Sequence, residues 1–374
     1  MQDFSSSFIS GKIILPMSLS IGIVGLPNVG KSTLFNILTG DNNALSANYP
    51  FATIEPNTGI ATVPDKRLEK LGEIYNPQKI TPAIIKLIDI AGLVAGASKG
   101  EGLGNQFLAN IRECDAIIHV VRAFEDRDII HIDEQIDPKR DIEIINTELM
   151  LADLQSIETK IDKIAREAKA DPKKNVIKSE LEQLRDNLRK GTPVRRQKLV
   201  SSEIKQLSLL TAKKVIFVFN INEVDINNVD KLQFLSGLVS PDEAVFIAIK
   251  LEDELKSLSN QNAHELLDSY GIRHSGLEQL VTSAYRTLGL QSFLTAGKDE
   301  VRAWTIKTGS TAPQAAGVIH SDFERGFIAA DVMDYDDLIT YGNERKVREA
   351  GKIRTEGKDY IVQQNDIIHF KFNV

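Results

Sequence analysis

The sequence predicts an α/β protein. A mostly parallel sheet with flanking helices is interrupted by an antiparallel helical hairpin and followed by a smaller α+β unit. Three observations predict it. Up to Gly289, short apolar runs of strand type alternate with stretches that are apolar at helical spacing. Between Asp141 and Thr211 two apolar stripes step by three and four and meet at Asp171-Pro172. After Gly289 the composition shifts to several short strands around one helix. The expected boundaries are 17–140 with 212–289 for the sheet, 141–211 for the hairpin and 290–374 for the last unit. Residues 1–16 read as a disordered extension or an upstream start.

The first strand, Ser20-Ile21-Gly22-Ile23-Val24, runs into Gly25-Leu26-Pro27-Asn28-Val29-Gly30-Lys31-Ser32. This stretch fits G-x-x-x-x-G-K-[ST], and Thr33 to Leu38 continues it at helical spacing. Gly25 and Gly30 let the main chain curl so that N–H groups point at phosphate oxygens, and the helix N-terminus adds positive potential. The sheet is therefore expected to be that of a P-loop NTPase. Asn28, Val29, Gly30, Lys31, Ser32 and Thr33 form the phosphate side of the site. Lys31 reaches the outer phosphates and Ser32 ligates Mg²⁺.

Asn48 to Asn57 is polar and punctuated by proline. A nucleotide switch needs a threonine hydroxyl here to sense Mg²⁺ and the γ-phosphate. Thr53 is the choice and Thr58 its competitor. The apolar run Ala83 to Ile90 carries D-x-x-G, with Asp89 placed to hold Mg²⁺ and the Gly92 N–H placed to touch the γ-phosphate. Gly92, Gly96, Gly100, Gly102 and Gly104 make the following segment a second switch. Leu93 stands where many GTPases carry the glutamine that orients water. Another group must then position the water. Asn28 has two readings, shaping the loop or holding a monovalent cation such as K⁺. His119, inside the strand Ala116 to Arg122, also has two, a core histidine or the residue that orients water.

The chain is acidic overall, with 45 basic and 52 acidic residues and a net charge of −7, so it is not a general nucleic-acid binder. Lys160 to Lys214 nevertheless carries 16 basic and 7 acidic residues. That basic hairpin, with Arg195, Arg196 and Lys198 near the Gly191-Thr192-Pro193 break, reads as a solvated face or as an RNA contact. Cys114 is the single cysteine, so no intramolecular disulfide forms and a reducing, cytoplasmic location is expected. No apolar run reaches the roughly 18–20 residues that span a bilayer.

The sheet resumes at Val215 to Phe219 and leads into Asn220-Ile221-Asn222-Glu223. A GTPase reads guanine here with N-K-x-D. Ile221 lacks the lysine stem and charge, and Glu223 is one methylene too long to meet both guanine donors easily. Adenine offers a donor and an acceptor that backbone groups of this loop can meet, so ATP is expected over GTP. The strand Ala244 to Ile247 ends at Ala248-Ile249-Lys250, where the loop supporting the base would lie. In the last unit, strands are expected at Val301–Ile306, Phe327–Val332, Asp359–Val362 and Ile367–Phe372, with a helix over Thr311–Ile319. The arrangement is β-grasp-like, with a cationic stretch from Lys346 to Lys358.

Taken together, GLPNVGKSTLFN (Gly25–Asn36), NYPFATIEPN (Asn48–Asn57), DIAGLVAGASKGEGLGNQFL (Asp89–Leu108), the Asn220–Glu223 loop and Thr295–Ile328 resemble the YchF, or Obg-like ATPase, subfamily of P-loop proteins. The resemblance runs from Met17 to Val374. It implies a C-terminal TGS domain, slow ATP hydrolysis in preference to GTP, and association with ribosomes through the hairpin and TGS domain. It also implies a hydrophobic residue at Leu93 and a hydrolysis-assisting histidine at His119. Ala248-Ile249 departs from the Ser-Ala usual at that loop and puts its hydrogen bonding in question. A monomer without membrane contact is expected.

Overall fold

The computed structural model describes residues 19–40, 57–90, 103–125, 136–198, 201–272 and 275–373. Strand β1 (Ser20–Val24) leads through the glycine loop into helix α1 (Lys31–Thr39). Strand β2 (Thr58–Thr62), helix α2 (Lys66–Tyr75), the short β3 (Lys79–Thr81) and β4 (Ile84–Asp89) follow. Helix α3 (Leu103–Glu113) and β5 (Ala116–Arg122) precede the insertion. The first sheet is completed by β6 (Lys214–Asn220) and β7 (Glu243–Ile247), in the order β2-β4-β1-β5-β6-β7. Only β2 runs antiparallel within it. β1 and β5 are buried along their whole length, as their unbroken apolar runs require of central parallel strands.

The inserted hairpin is helix α4 (Pro138–Glu167) against helix α5 (Lys174–Arg189). α4 begins three residues before the expected Asp141, because Asp137 caps it and Pro138 opens its first turn. Its 30 residues span about 45 Å. The first half belongs to the main body, where Ile142, Ile145, Leu149 and Ala152 join the core of the sheet. The second half pairs with α5: Ile157, Ile161 and Ile164 meet Leu181, Leu184 and Leu188 in a separate small core. Between the two halves sits Asp153, fully buried. Its carboxylate accepts from the Leu210 and Thr211 N–H groups at 2.7 and 2.8 Å and from the Thr211 hydroxyl at 2.6 Å. Thr211 in turn accepts from the Val194 N–H at 3.1 Å. These bonds pin the returning chain, including the short helix α6 (Ser202–Lys205), to the root of the hairpin.

After β6 the body is completed by α7 (Val229–Val239), α8 (Ile249–Lys256), α9 (Asn260–Ser269) and α10 (Gly276–Thr287). The C-terminal unit contains β8 (Leu290–Ala296), β9 (Glu300–Lys307), α11 (Ala312–Ile319), α12 (Ser321–Arg325), β10 (Phe327–Asp334), α13 (Tyr335–Tyr341), α14 (Glu344–Glu349), β11 (Arg354–Glu356) and β12 (Asp366–Phe372). The expected strand Asp359–Val362 does not form. Ile361 makes one bridge to Thr311, while the Tyr360 carbonyl accepts from Ala312 N–H and the Val362 N–H donates to Ser310. That segment caps the start of α11 instead of extending the sheet.

The second sheet has the order β11-β10-β12-β8-β9-β3. Its edge strand β3 comes from the nucleotide-binding part of the chain and pairs parallel with β9. One face of this sheet packs Phe293, Ile306 and Phe370 against Ala312, Ala315 and Ala316 of α11. The other places Leu294, Val301, Ala303, Met333 and Ile367 in the main core. Each fully buried large aliphatic side chain contributes about 1.5–3 kcal/mol. A shared apolar core of this kind holds the two units together far more firmly than the polar contacts usual between domains. The Thr81 hydroxyl also donates to Glu300, and Arg67 of α2 donates to the Gln364 carbonyl.

Candidate nucleotide site at the carboxyl edge of the first sheet

β1, β4, β5 and β6 end on one edge at Val24, Asp89, Arg122 and Asn220. Open α/β sheets bind ligands outside this edge. The glycine loop spans it. Leu26 and Val29 are buried and anchor the loop, while Asn28, Ser32 and Thr33 face solvent. Asn28 and Gly30 have positive φ, 61° and 95°, which turns successive N–H groups to one side. At Gly30 a side chain would collide with the Asn220 amide, 2.7 Å away, and at Gly25 with the Val120 carbonyl oxygen, also at 2.7 Å. α1 begins without a side-chain cap and without an acidic residue in its first turn. Its free N–H groups are left for an anion.

Lys31, Ser32 and Asp89 converge beside that helix start. Lys31 Nζ lies 3.6 Å from Asp89 Oδ1, and Ser32 Oγ lies 3.5 Å from Asp89 Oδ2. The lysine is beyond hydrogen-bond reach, so Asp89 Oδ1 is buried with no hydrogen-bond partner among the described residues. A carboxylate with spare lone pairs next to an exposed hydroxyl is the hard oxygen set that Mg²⁺ takes. The residues fit that ion.

Asn220 joins the two halves of the site. Its amide nitrogen donates to the Val29 carbonyl at 3.0 Å, and its amide oxygen accepts from the Ile249 N–H at 3.2 Å. The backbone of Ile249 thus supplies what the missing serine left in question, and buried Ala248 closes the loop. Ile221 packs into the main core with its N–H bound to the Ile247 carbonyl. Glu223 is half-buried and opens a short 3₁₀ turn. Sequence reasoning missed Glu252 on α8. It is buried, accepts from the Gly276 and Leu277 N–H groups at the start of α10, and has its pKa raised by burial. Its only sequence signal is an acidic residue four positions after Ala248, with Ser275-Gly276 opening a later helix.

His119 is not part of this arrangement. It is registered against Val24, one residue short of the loop, and is fully buried with its ring 5.2 Å from that of Phe217. Burial, helped by the nearby positive charge of Arg195, pushes its pKa down to about 3. The neutral imidazole fills the core, and it is the neighbouring Val120 that approaches the phosphate loop. In this arrangement His119 packs as a core histidine, one of the two readings of its position; the other, orienting water, requires the ring to swing out towards the phosphates. Arg195 and Arg196 also differ from expectation. Both pair with Asp242, at 3.1 and 2.9 Å, and Arg195 is 7% exposed. Arg195 is turned to the body, while Arg196 keeps part of its side chain in solvent. Thr58, the alternative switch threonine, is registered against Ile88 in the first sheet. Thr53, Gly92 and Leu93 lie outside the described residues, as does the N-terminal stretch 1–18.

Residues 20–152 match a family model described as a 50S ribosome-binding GTPase. Residues 290–373 match the YchF-type GTPase C-terminal model, described as a protein of unknown function (DUF933). The ribosome-binding ATPase YchF of Bacillus subtilis (strain 168) is 48% identical over 369 residues, covering 96% of this chain and 100% of the relative. Its namesake in Haemophilus ducreyi is 50% identical over 364 residues, with coverage of 96% and 100%. The solved structure of the Schizosaccharomyces pombe YchF GTPase has a TM-score of 0.82 at 38% identity, covering 95% of this chain and 98% of that one. A GTP binding protein from Pyrococcus horikoshii OT3, at 20% identity and a TM-score of 0.57, shares the fold.

Proposed function

The chain belongs to the YchF family, and on that footing we propose that it is a ribosome-associated P-loop ATPase that prefers ATP to GTP and acts as a nucleotide-dependent switch. The observation that carries this reading is the pairing of a complete phosphate cradle with a base loop that lacks the guanine-reading lysine and aspartate. Ile221 is spent on the core and Glu223 replaces the shorter acid.

In this reading the N–H groups from Asn28 to Thr33 and the Lys31 ammonium hold the phosphates. Mg²⁺, held by Ser32 and Asp89, would neutralise charge developing on the transferred phosphoryl group. Asn220 sets the distance between the cradle and the base loop, and Ala248 and Ile249 line the base side. Thr53 and the Gly92 N–H sense the γ-phosphate. With Leu93 unable to orient water, Asn28 holds K⁺ beside the phosphates. The exposed hairpin residues Lys163, Arg166, Lys169 and Lys173, together with a TGS-type C-terminal unit, meet ribosomal RNA. The protein works as a cytoplasmic monomer. Among the described residues, no helix is long and apolar enough to cross a membrane.

The test is competition between ATP and GTP on the purified full chain, with phosphate release followed over multiple turnovers, with and without ribosomes. The reading expects ATP to win and turnover to continue. GTP binding equal to or tighter than ATP binding would overturn the base-loop argument, and absence of turnover under every condition would leave a binding scaffold.

A further inference from the structure

Strand β9 has a bare stretch of edge. The Gly297 N–H donates to the Glu300 carbonyl and the Thr308 N–H to the Gly289 carbonyl, so the even-numbered residues from 300 to 308 turn their main-chain groups towards β8. The odd-numbered residues turn theirs to the opposite side. There β3 lies beside Glu300, Val301 and Arg302 and goes no further. The chain leaves through Pro82, which has no N–H to give. The N–H and C=O of Thr305 and the N–H of Lys307 consequently have no partner among the described residues.

A groove of about 650 Å³ runs along this edge. Trp304, Ile306 and Val318 line it from the C-terminal unit, and Pro82, Ile84 and Leu19 from the nucleotide-binding part. Main-chain donors and acceptors beside an apolar trough are what an extended segment needs to add itself as a strand. Proteins seldom leave such an edge open. The chain itself supplies an occupant. Leu19, the first described residue, already lines the groove. Before it, Lys12-Ile13-Ile14-Leu15 is apolar and β-branched and is closed by Pro16. β3, which holds the other end of the same edge, has a similar make-up, Lys79-Ile80-Thr81 followed by Pro82. From Ala303 to Lys307 the edge is about 13 Å long, as are four extended residues. Leu15 stands four positions before Leu19, a link that reaches at most about 14 Å.

We propose that Lys12–Leu15 occupies this groove as an added edge strand on β9, in line with β3. Thr305 and Lys307 then gain ladder partners. Ile13 and Ile14 point to opposite faces of the added strand, one towards Trp304 and the other towards Pro82 and Ile84. The start of the chain thereby braces the two sheets against each other, since β1 follows at Ser20 in the first and β9 belongs to the second. Resemblance to the YchF family begins at Met17, after this segment.

Trp304 is the only tryptophan, so its fluorescence reports on the groove alone. Its ring is held from elsewhere: Nε1 donates to the Thr295 hydroxyl at 2.9 Å, and the Arg302 guanidinium lies 3.8 Å from the ring centre. The experiment compares the full chain with one beginning at Met17, by acrylamide quenching of Trp304 and by amide exchange at Thr305 and Lys307, with ADP affinity as the control for folding. In the shortened chain the quenching constant should rise at least about twofold, and those amides should exchange at least about tenfold faster. Ile13→Asp combined with Ile14→Asp in the full chain should act in the same way, because it puts a charge on each face of the added strand. A synthetic peptide of residues 10–18 should restore protection to the shortened chain, and a scrambled peptide should not. Equal quenching and exchange at both lengths, or restoration by the scrambled peptide, would overturn the proposal. So would protection that grows with protein concentration, which would place the segment on a second copy.

Discussion

The side-chain amide of Asn220 donates to the carbonyl oxygen of Val29 at 3.0 Å, across 191 positions of sequence. Its oxygen accepts the N–H of Ile249. One buried side chain therefore fixes the register between the phosphate loop and the base loop. Asn220→Ala strands a buried carbonyl and a buried N–H, a loss of about 2–4 kcal/mol. Affinity for ADP and for GDP should fall together, by about tenfold or more, because the clip holds backbone rather than base. Titration of both nucleotides into the variant checks this; a loss confined to one base would contradict it.

Lys31 and Asp89 lead to a different outcome for each. Lys31→Ala removes the cationic contact to the outer phosphates, and turnover should drop at least about a hundredfold. Asp89→Asn keeps the shape of the side chain but removes the charge that fits Mg²⁺. Half-maximal activity should then need roughly tenfold more Mg²⁺, while Mg²⁺-free ADP binding stays within about twofold. Mg²⁺ titrations of activity and of ADP binding separate the two effects.

His119 gives a pH signature. Its native pKa of about 3 lies below the ordinary 6.5 for histidine. The unfolded chain therefore takes up a proton that the folded chain excludes, and stability is lost as pH falls below 6.5 towards 3. His119→Phe removes that linkage. Whatever its cost at neutral pH, the variant's stability relative to the parent should rise by about 2 kcal/mol between pH 7.5 and pH 5. Urea denaturation of both proteins at the two pH values measures it, and a pH-independent difference would mean that the imidazole takes up its proton in the fold.

Asp153 is another buried polar anchor. Asp153→Ala leaves the Leu210 and Thr211 N–H groups without their acceptor. A cost of about 3 kcal/mol is expected, together with faster proteolysis within residues 190–213. Asp153→Asn keeps one acceptor oxygen and should lose less. Nucleotide affinity, set at the other edge of the sheet, should stay within about twofold in both variants.

Much of this architecture could be read from residues alone, for a physical reason. The phosphate loop, the buried strands and the hairpin stripes are local patterns, and Ile157, Ile161, Leu181 and Leu184 carry their periodicity whatever they pack against. What escaped the sequence is what depends on distant partners. β3 is three residues long and is a strand only because β9 lies beside it. Asp359–Val362 has strand composition but spends its backbone groups on the start of α11. Arg195 and Arg196 look like free charge until Asp242 folds against them. His119 has the same letters around it whether it faces the phosphates or Phe217, and only the pleat of β5 decides.

Two residues, Pro82 and Ala83, separate the last position of β3 from the first of β4. The polypeptide thus steps from one sheet into the other and finishes at Asp89. A gene shortened at Gly289 would leave that stub without a neighbour and bare the greasy underside once covered by Leu294 and Met333. Such a fragment should be recovered as insoluble material, and the C-terminal unit cannot be treated as a detachable accessory.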